Sequence, residues 1–174
     1  MIRSGLFANR LIVLGLLFSV CNLFSQDHRR DGAVPDETST RFQLHAELAS
    51  DTAKAGSPIV ATLRLKNISS RRGQFLEMGS YVDYELLVTD HLGKEALRTE
   101  FGKHLVEDER GGSARSQELQ SGEEIEQTLD ITKIYILKTP GKYFARVMRV
   151  VMPEAKIVGC EKAVSNTVAF TIFE

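Results

Sequence analysis

The sequence predicts an all-β protein: an antiparallel β-sandwich of about seven to nine strands, preceded by an N-terminal signal helix. Three observations carry that expectation. From Arg41 onward apolar residues recur with a period of two. Turns bearing Gly, Pro, Asn or Asp interrupt the alternation at intervals of about ten residues. No stretch beyond the N-terminal apolar run sustains a helical period.

In chain order, an export signal comes first. Met1 to Arg10 holds Arg3 and Arg10 and no acid, the run from Leu11 to Cys21 is apolar or small, and polarity returns at Gln26-Asp27-His28-Arg29-Arg30. A basic start, an apolar core of about 7–15 residues and a polar exit describe a secretory signal over residues 1–26. The run falls short of the roughly 20 residues that span a bilayer, so an uncleaved anchor is the alternative. Signal peptidase needs small residues at the first and third positions before the cut. Cleavage after Cys21 offers Ser19 and Cys21; cleavage after Ser25 offers Leu23 and Ser25. A bacterial lipoprotein would keep Cys21 as its lipidated first residue, but Phe18 and Val20 stand where its signal has Leu and a small residue. Export to the periplasm or the exterior is therefore expected, with membrane attachment only through the signal segment if it is uncleaved or lipidated.

Residues 27–40 are polar, contain Gly32 and Pro35, and read as a flexible tether; the folded domain occupies residues 41–174. Phe42, Leu44, Ala46 and Leu48 alternate with polar residues in a first strand. Residues 51–58 hold Gly56, Ser57 and Pro58 and read as a connection. Ile59, Ala61, Leu63 and Leu65 point inward from a second strand, and a short strand follows at 74–78. Val82, Tyr84, Leu86 and Val88 share one face of a strand over 81–89, with Asp83, Glu85 and Thr89 on the other. Residues 90–94 form a hairpin loop with Gly93 where positive φ is needed, and 95–98 a short partner strand. Residues 106–116, charged and containing Gly111-Gly112, read as an exposed loop. Strands follow at 117–119 and 124–131. Asp130 caps a single helical turn in the β-branched segment that follows. Pro140-Gly141 turns into a strand over 142–151 with Tyr143, Ala145 and Val147 inward. Residues 152–162 are irregular, and Val164, Asn166, Val168, Phe170 and Ile172 alternate in one last strand.

Bulk properties exclude several classes. Loss of Arg3 and Arg10 with the signal takes the basic count from 22 to 20 against 23 acids, a net of −3. That balance gives no drive toward phosphate backbones, so no nucleic-acid partner is expected. The chain has 2 cysteines, Cys21 and Cys160. Cleavage beyond Cys21 leaves one thiol, so stability must come from burial rather than a disulfide framework. Cys160 reads as a small, partly buried residue; a nucleophile or an intermolecular disulfide partner are the sharper readings. A domain of this size buries roughly two-thirds of its unfolded surface, enough to stand without staples.

The motifs resemble a widespread group of uncharacterised exported bacterial domains with an immunoglobulin-like sandwich. The residues that carry the resemblance are Asn67-Ile68-Ser69, Tyr84-x-Leu86-x-Val88, Asp90-x-x-Gly93 and Leu119-x-x-Gly122-Glu123. They continue with Leu129-Asp130-Ile131, Pro140-Gly141-x-Tyr143 and Ser165-Asn166-Thr167-Val168. A similar arrangement is found in BsuPI-type proteinase inhibitors and in the non-catalytic N-terminal domain of deuterolysin-like proteases. The resemblance covers residues 42–172. It implies a fold and supplies no catalytic, cofactor-binding or metal site.

Tests for chemistry point the same way. A zinc protease needs paired histidines at helical spacing. His28, His45, His91 and His104 are not so spaced, and each reads as a solvated histidine. There is no Gly-x-Ser-x-Gly elbow, although a Ser-His-Asp site assembled in space stays open. Phosphate-binding glycine loops are absent. Glu107-Asp108-Glu109 and Glu123-Glu124 lack the ligand spacing of a calcium loop. Asn67-Ile68-Ser69 matches a glycosylation acceptor that only a eukaryotic secretory route would use. Tyr143 reads as the tyrosine that locks the corner between two sheets. The expected function is an exported, non-enzymatic module, without cofactor, that binds a protein or envelope polymer through loops 69–73 (with Arg71 and Arg72), 107–115 and 152–162. A proteinase inhibitor or a structural envelope protein are alternatives, and an enzyme with an atypical site the remaining one.

Overall fold

The computed structural model describes residues 41–107, 114–151 and 161–174. The predicted signal, the tether and Cys160 lie outside the described residues, as do positions 108–113 and 152–159 of two predicted loops.

Two sheets close over one core. In the first, β1 (Phe42–Leu48) and β7 (Glu124–Asp130) pair antiparallel with opposite edges of β3 (Val60–Asn67). The second sheet runs β2 (Thr52–Lys54), β10 (Val168–Phe173), β8 (Gly141–Val151), β5 (Tyr84–Asp90), with β9 (Glu161–Val164) also on β8. A separate two-stranded sheet joins β4 (Gly73–Glu77) to β6 (Arg115–Leu119). Three helical segments connect them: α1 (Ser80–Asp83), α2 (Glu100–Glu107) and α3 (Ile131–Ile134). The set β1-β3-β7 facing β5-β8-β10 is the strand arrangement of an immunoglobulin-like sandwich.

The period-two pattern does what it must. Phe42, Leu44, Ala46, Ala61, Leu63 and Leu65 enter the core from one sheet, and Leu86, Val88, Ala145, Val147, Phe170 and Ile172 from the other. Each Leu, Val, Ile or Phe among them is worth about 1.5–3 kcal/mol on full burial. The chain has no Trp, and its core is aliphatic with a few rings, as in the Phe42–Phe75 edge contact at 5.9 Å.

Several sequence expectations need correction. The 51–58 connection contains β2, which pairs parallel with β10 because Thr171 N donates to the Asp51 carbonyl and Ala55 N to that of Phe173. The strand expected from residue 81 begins at Tyr84; residues 80–83 turn, and Asp83 faces inward instead of outward. The strand expected at 95–98 is reduced to two isolated bridges, Thr89 to Glu95 and Arg98 to Tyr135. With these short pieces the described residues hold ten strands.

The helix α2 was not legible as a period. The Thr99 hydroxyl caps it, accepting from Gly102 N at 3.0 Å and satisfying one of the free amides of the first turn. Gly102 itself is required because a Cβ there would collide with the Ile134 carbonyl. The single turn expected after Asp130 is present as α3, with Asp130 Oδ1 accepting from Thr132 N at 3.0 Å. Just after it Tyr135 is buried and Ile136 is exposed.

The last expected strand is two. Between β9 and β10, residues 165–167 bulge from the edge of β8 while side chains replace the missing ladder bonds. Ser165 N donates to the Val147 carbonyl at 2.8 Å, and the Ser165 hydroxyl accepts from Val147 N at 3.0 Å. Asn166 reaches across to the first sheet. Its Oδ1 accepts from Ala46 N at 2.9 Å and its Nδ2 donates to the Ala46 carbonyl at 3.0 Å, as a paired strand would.

Tyr143 makes the corner expected of it. Its hydroxyl donates to the Thr139 carbonyl at 2.9 Å, and its ring stacks on Phe170 at 5.7 Å. Tyr143→Phe keeps the ring and removes the bond, so thermal or urea unfolding should show a loss of about 0.5–1.5 kcal/mol. Unchanged stability would mean that the corner is held by packing alone.

Candidate functional site

The alternation that turns Tyr143, Ala145 and Val147 inward also turns Arg149 inward. Its guanidinium is sealed, at 1% exposure. Nη1 donates to the Tyr84 hydroxyl at 2.9 Å, and Nη2 to the Leu76 carbonyl at 3.3 Å and to Asp83 Oδ2 at 3.4 Å. The guanidinium carbon also lies 4.8 Å from the Phe75 ring centroid and 4.9 Å from that of Tyr84. Asp83 is held in turn by the amides of Met78 (2.9 Å) and Gly79 (3.2 Å). Beyond it, Glu77 accepts from the side-chain amides of Gln117 and Gln127. The Gln127 side-chain carbonyl is the buried side-chain polar atom without a partner among the described residues.

This cluster is the largest concentration of buried polar chemistry in the described residues, and its geometry is that of a lock. Burial pushes the Tyr84 phenol above its ordinary value, with Arg149 opposing, so it stays neutral at physiological pH. The carboxylate and the guanidinium spend their bonds on one another and on the backbone. What they do is tie β4, α1, β5 and β8 together. Sequence reasoning missed Arg149 although the signal was there: a period of two carried two residues past Val147.

The histidines are dispersed. His45 is exposed beside a shallow depression of about 420 Å³ shared with Glu47, Asp51 and Asn166; His91 sits in the hairpin loop and His104 on α2. Among the described residues no group of three or more His, Cys, Asp or Glu converges to hold a metal ion. Glu123 is engaged locally, its carboxylate accepting from Gln120 N at 2.7 Å.

Asn67 is fully buried, which corrects its reading as a glycosylation acceptor. Nδ2 donates to the carbonyls of Arg71 (2.7 Å) and Leu119 (2.9 Å), while Oδ1 accepts from Ser69 N (3.0 Å) and the Ser69 hydroxyl (2.7 Å). Ser121 adds a bond to the Ser69 carbonyl at 2.7 Å. The loop at 69–73 is thereby clamped to the turn before β7, with Arg71 exposed and Ile68 51% exposed. Ile68 N donates to the Arg41 carbonyl, and Arg41 pairs with Glu161, the partner of Val151. The described flanks of 152–160 therefore lie at the same end as loop 69–73. Loop 107–115 does not join them at its described end. Arg115 pairs with Glu77, at the opposite end of the β4–β6 ribbon from Gly73.

No protein-family profile matches the chain, and no curated protein matches it. Solved structures are similar at low identity. The CARDB domain of a Pyrococcus furiosus protein, solved with di-metal ions, is 10% identical over 75% of this chain and 91% of that one, with a TM-score of 0.40. The C-terminal domain of wzt is 9% identical over 84% of each chain, with a TM-score of 0.48. A Listeria innocua β-glucosidase is 15% identical over 76% of this chain, with a TM-score of 0.39, and the match spans 16% of the glucosidase.

Two outcomes follow from the lock. Asp83→Ala leaves the buried guanidinium without its counter-charge and should cost about 3–5 kcal/mol in urea unfolding. Adding Arg149→Met to it should recover part of that loss. A cost near zero for Asp83→Ala would show that Tyr84 and the aromatic faces suffice. The second concerns alkaline pH. Tyr84 and Tyr135 are both raised above 10.0, Tyr135 first by burial and then by its bond to Glu95. The folded state then keeps protons that the unfolded chain releases, so stability is full below about pH 10 and falls as pH climbs through the raised values. Urea midpoints between pH 9 and 11 should fall, and Tyr135→Phe should flatten the fall; equal slopes would contradict this.

Proposed function

We propose that the chain is an exported β-sandwich module, without catalytic activity of its own, that binds a protein or envelope polymer partner through the loop end around residues 68–73. The observation that carries this reading is the Asn67 clamp. Four hydrogen bonds from one buried amide side chain hold a loop that presents Arg71 and Ile68 to solvent. A loop ordered in advance loses little conformational entropy on binding, and recognition residues collect on such loops of a rigid scaffold. The export pattern of residues 1–26 and the resemblance to exported bacterial sandwich domains support the same reading, with the periplasm or the exterior as the site of action.

The test has two arms. N-terminal sequencing of the protein recovered from the producing cells should find a start after Cys21 or Ser25, in an exported fraction. Cross-linking of that mature protein should then yield a partner lost with Ile68→Asp and Arg71→Ala, variants that leave the melting temperature unchanged. An intact start at Met1 in the cytoplasm would remove the export half. A partner held equally by both variants would remove the loop half.

A further inference from the structure

The two outer faces of the sandwich differ in kind. On β1-β3-β7 the outward residues form a solvated ion network: Arg64 Nη1 donates to Glu47 at 3.1 Å and its Nε to Glu126 at 3.0 Å. The outer face of β2-β10-β8-β5 instead sets apolar side chains among cations. Along β8 the outward side chains are Phe144, Arg146, Met148 and Val150, between two paired strands. Leu87 stands beside Arg146 and Val164 beside Met148, while Leu87 and Phe173 remain 46% and 50% exposed.

The charge on this face is one-sided. Among the described residues of its strands, Lys54, Lys142, Arg146 and Lys162 are exposed on it against the carboxylate of Glu85, in a chain whose overall formal charge is −1. Lys142 leans over the Phe144 ring at 5.4 Å, and Arg146 has no salt-bridge partner among the described residues. We infer that this face is a docking surface for a partner protein presenting acidic residues around an apolar centre. Its composition is that of an interface core, with Phe, Met, Leu and Arg at the middle and Lys at the rim. A second copy face to face would bring like charges together, which disfavours self-association here. A bilayer is disfavoured by shape, because the apolar side chains of this face lie level on paired strands.

The test places a photoreactive residue at Leu87 of the full chain in the cells that make it, with the same probe at Thr62 on the opposite face as control. The expected result is a protein adduct from position 87 alone, mapped on the partner to a surface bearing Asp or Glu. Arg146→Glu should reduce its yield by roughly tenfold or more, since like charges at a docking face oppose binding. Arg146→Gln should give an intermediate loss. Circular dichroism melting of both variants should match the parent. Should Arg146→Glu fail to fold, Leu87→Asp read from a probe at Val150 takes its place. The inference is overturned by the absence of an adduct, by an adduct with a second copy, by one indifferent to Arg146, or by one mapped to a surface without acids. Capture of lipid alone, matched by sedimentation with vesicles containing 30% anionic phospholipid, would replace it with a membrane surface. Arg71→Ala leaves the position-87 adduct unchanged, so failure here and failure of the loop reading are separable.

Discussion

A cation inside an apolar core is the constraint around which the rest of this domain is arranged. Arg149 enters because a strand of period two admits no exception, and an unpaired guanidinium in that position would cost several kcal/mol. Its neighbours answer that cost together. Asp83 turns inward and is itself held by two backbone amides, Tyr84 places its hydroxyl directly across the strand pair, and Leu76 supplies a carbonyl. The turn at α1 exists where the carboxylate must reach the guanidinium. The β4–β6 ribbon is anchored by the same contacts.

Elsewhere the sandwich closes by letting side chains stand in for strands. The Asn166 amide pairs with both backbone groups of Ala46, and the Ser165 hydroxyl takes a bond that a carbonyl would otherwise take. Asn67 does the same for the loop after β3. Edge strands and corners leave backbone groups unpaired, and short polar side chains satisfy them without adding a strand. The Asn-x-Ser and Ser-Asn-Thr-Val motifs are therefore parts of the frame. They mark where one sheet is joined to the other or a loop is pinned.

Among the described residues, two surfaces carry the binding proposals. One is the clamped loop end with Arg71 and Ile68; the other is the outer face of the larger sheet, where apolar residues sit among cations. They are carried by different elements, so changes on one do not disturb the other. The second depends on β8, whose inner side holds the core and whose outer side carries Phe144, Arg146 and Met148.

Most strands were legible in the sequence because alternation is local: a strand with one face buried must show it every second residue. The Tyr143 corner and the Asp130 cap were legible for the same reason, since each bond closes within a few residues. Three things were not. The helix α2 is too short to show a period, β2 exists only because β10 lies beside it, and the bulge at 165–167 reads as alternation until its partner strand is known. The polar cluster was half legible, for Arg149 had to point inward, while Asp83 could be recognised as its counter-charge only once β5 and β8 were paired. By itself the sequence determined most of the residues that face inward from the regular strands, though not Asp83. Only the tertiary structure decided what they meet, because Arg149 and Asp83 lie 66 positions apart and nothing short of the folded sheet brings them together.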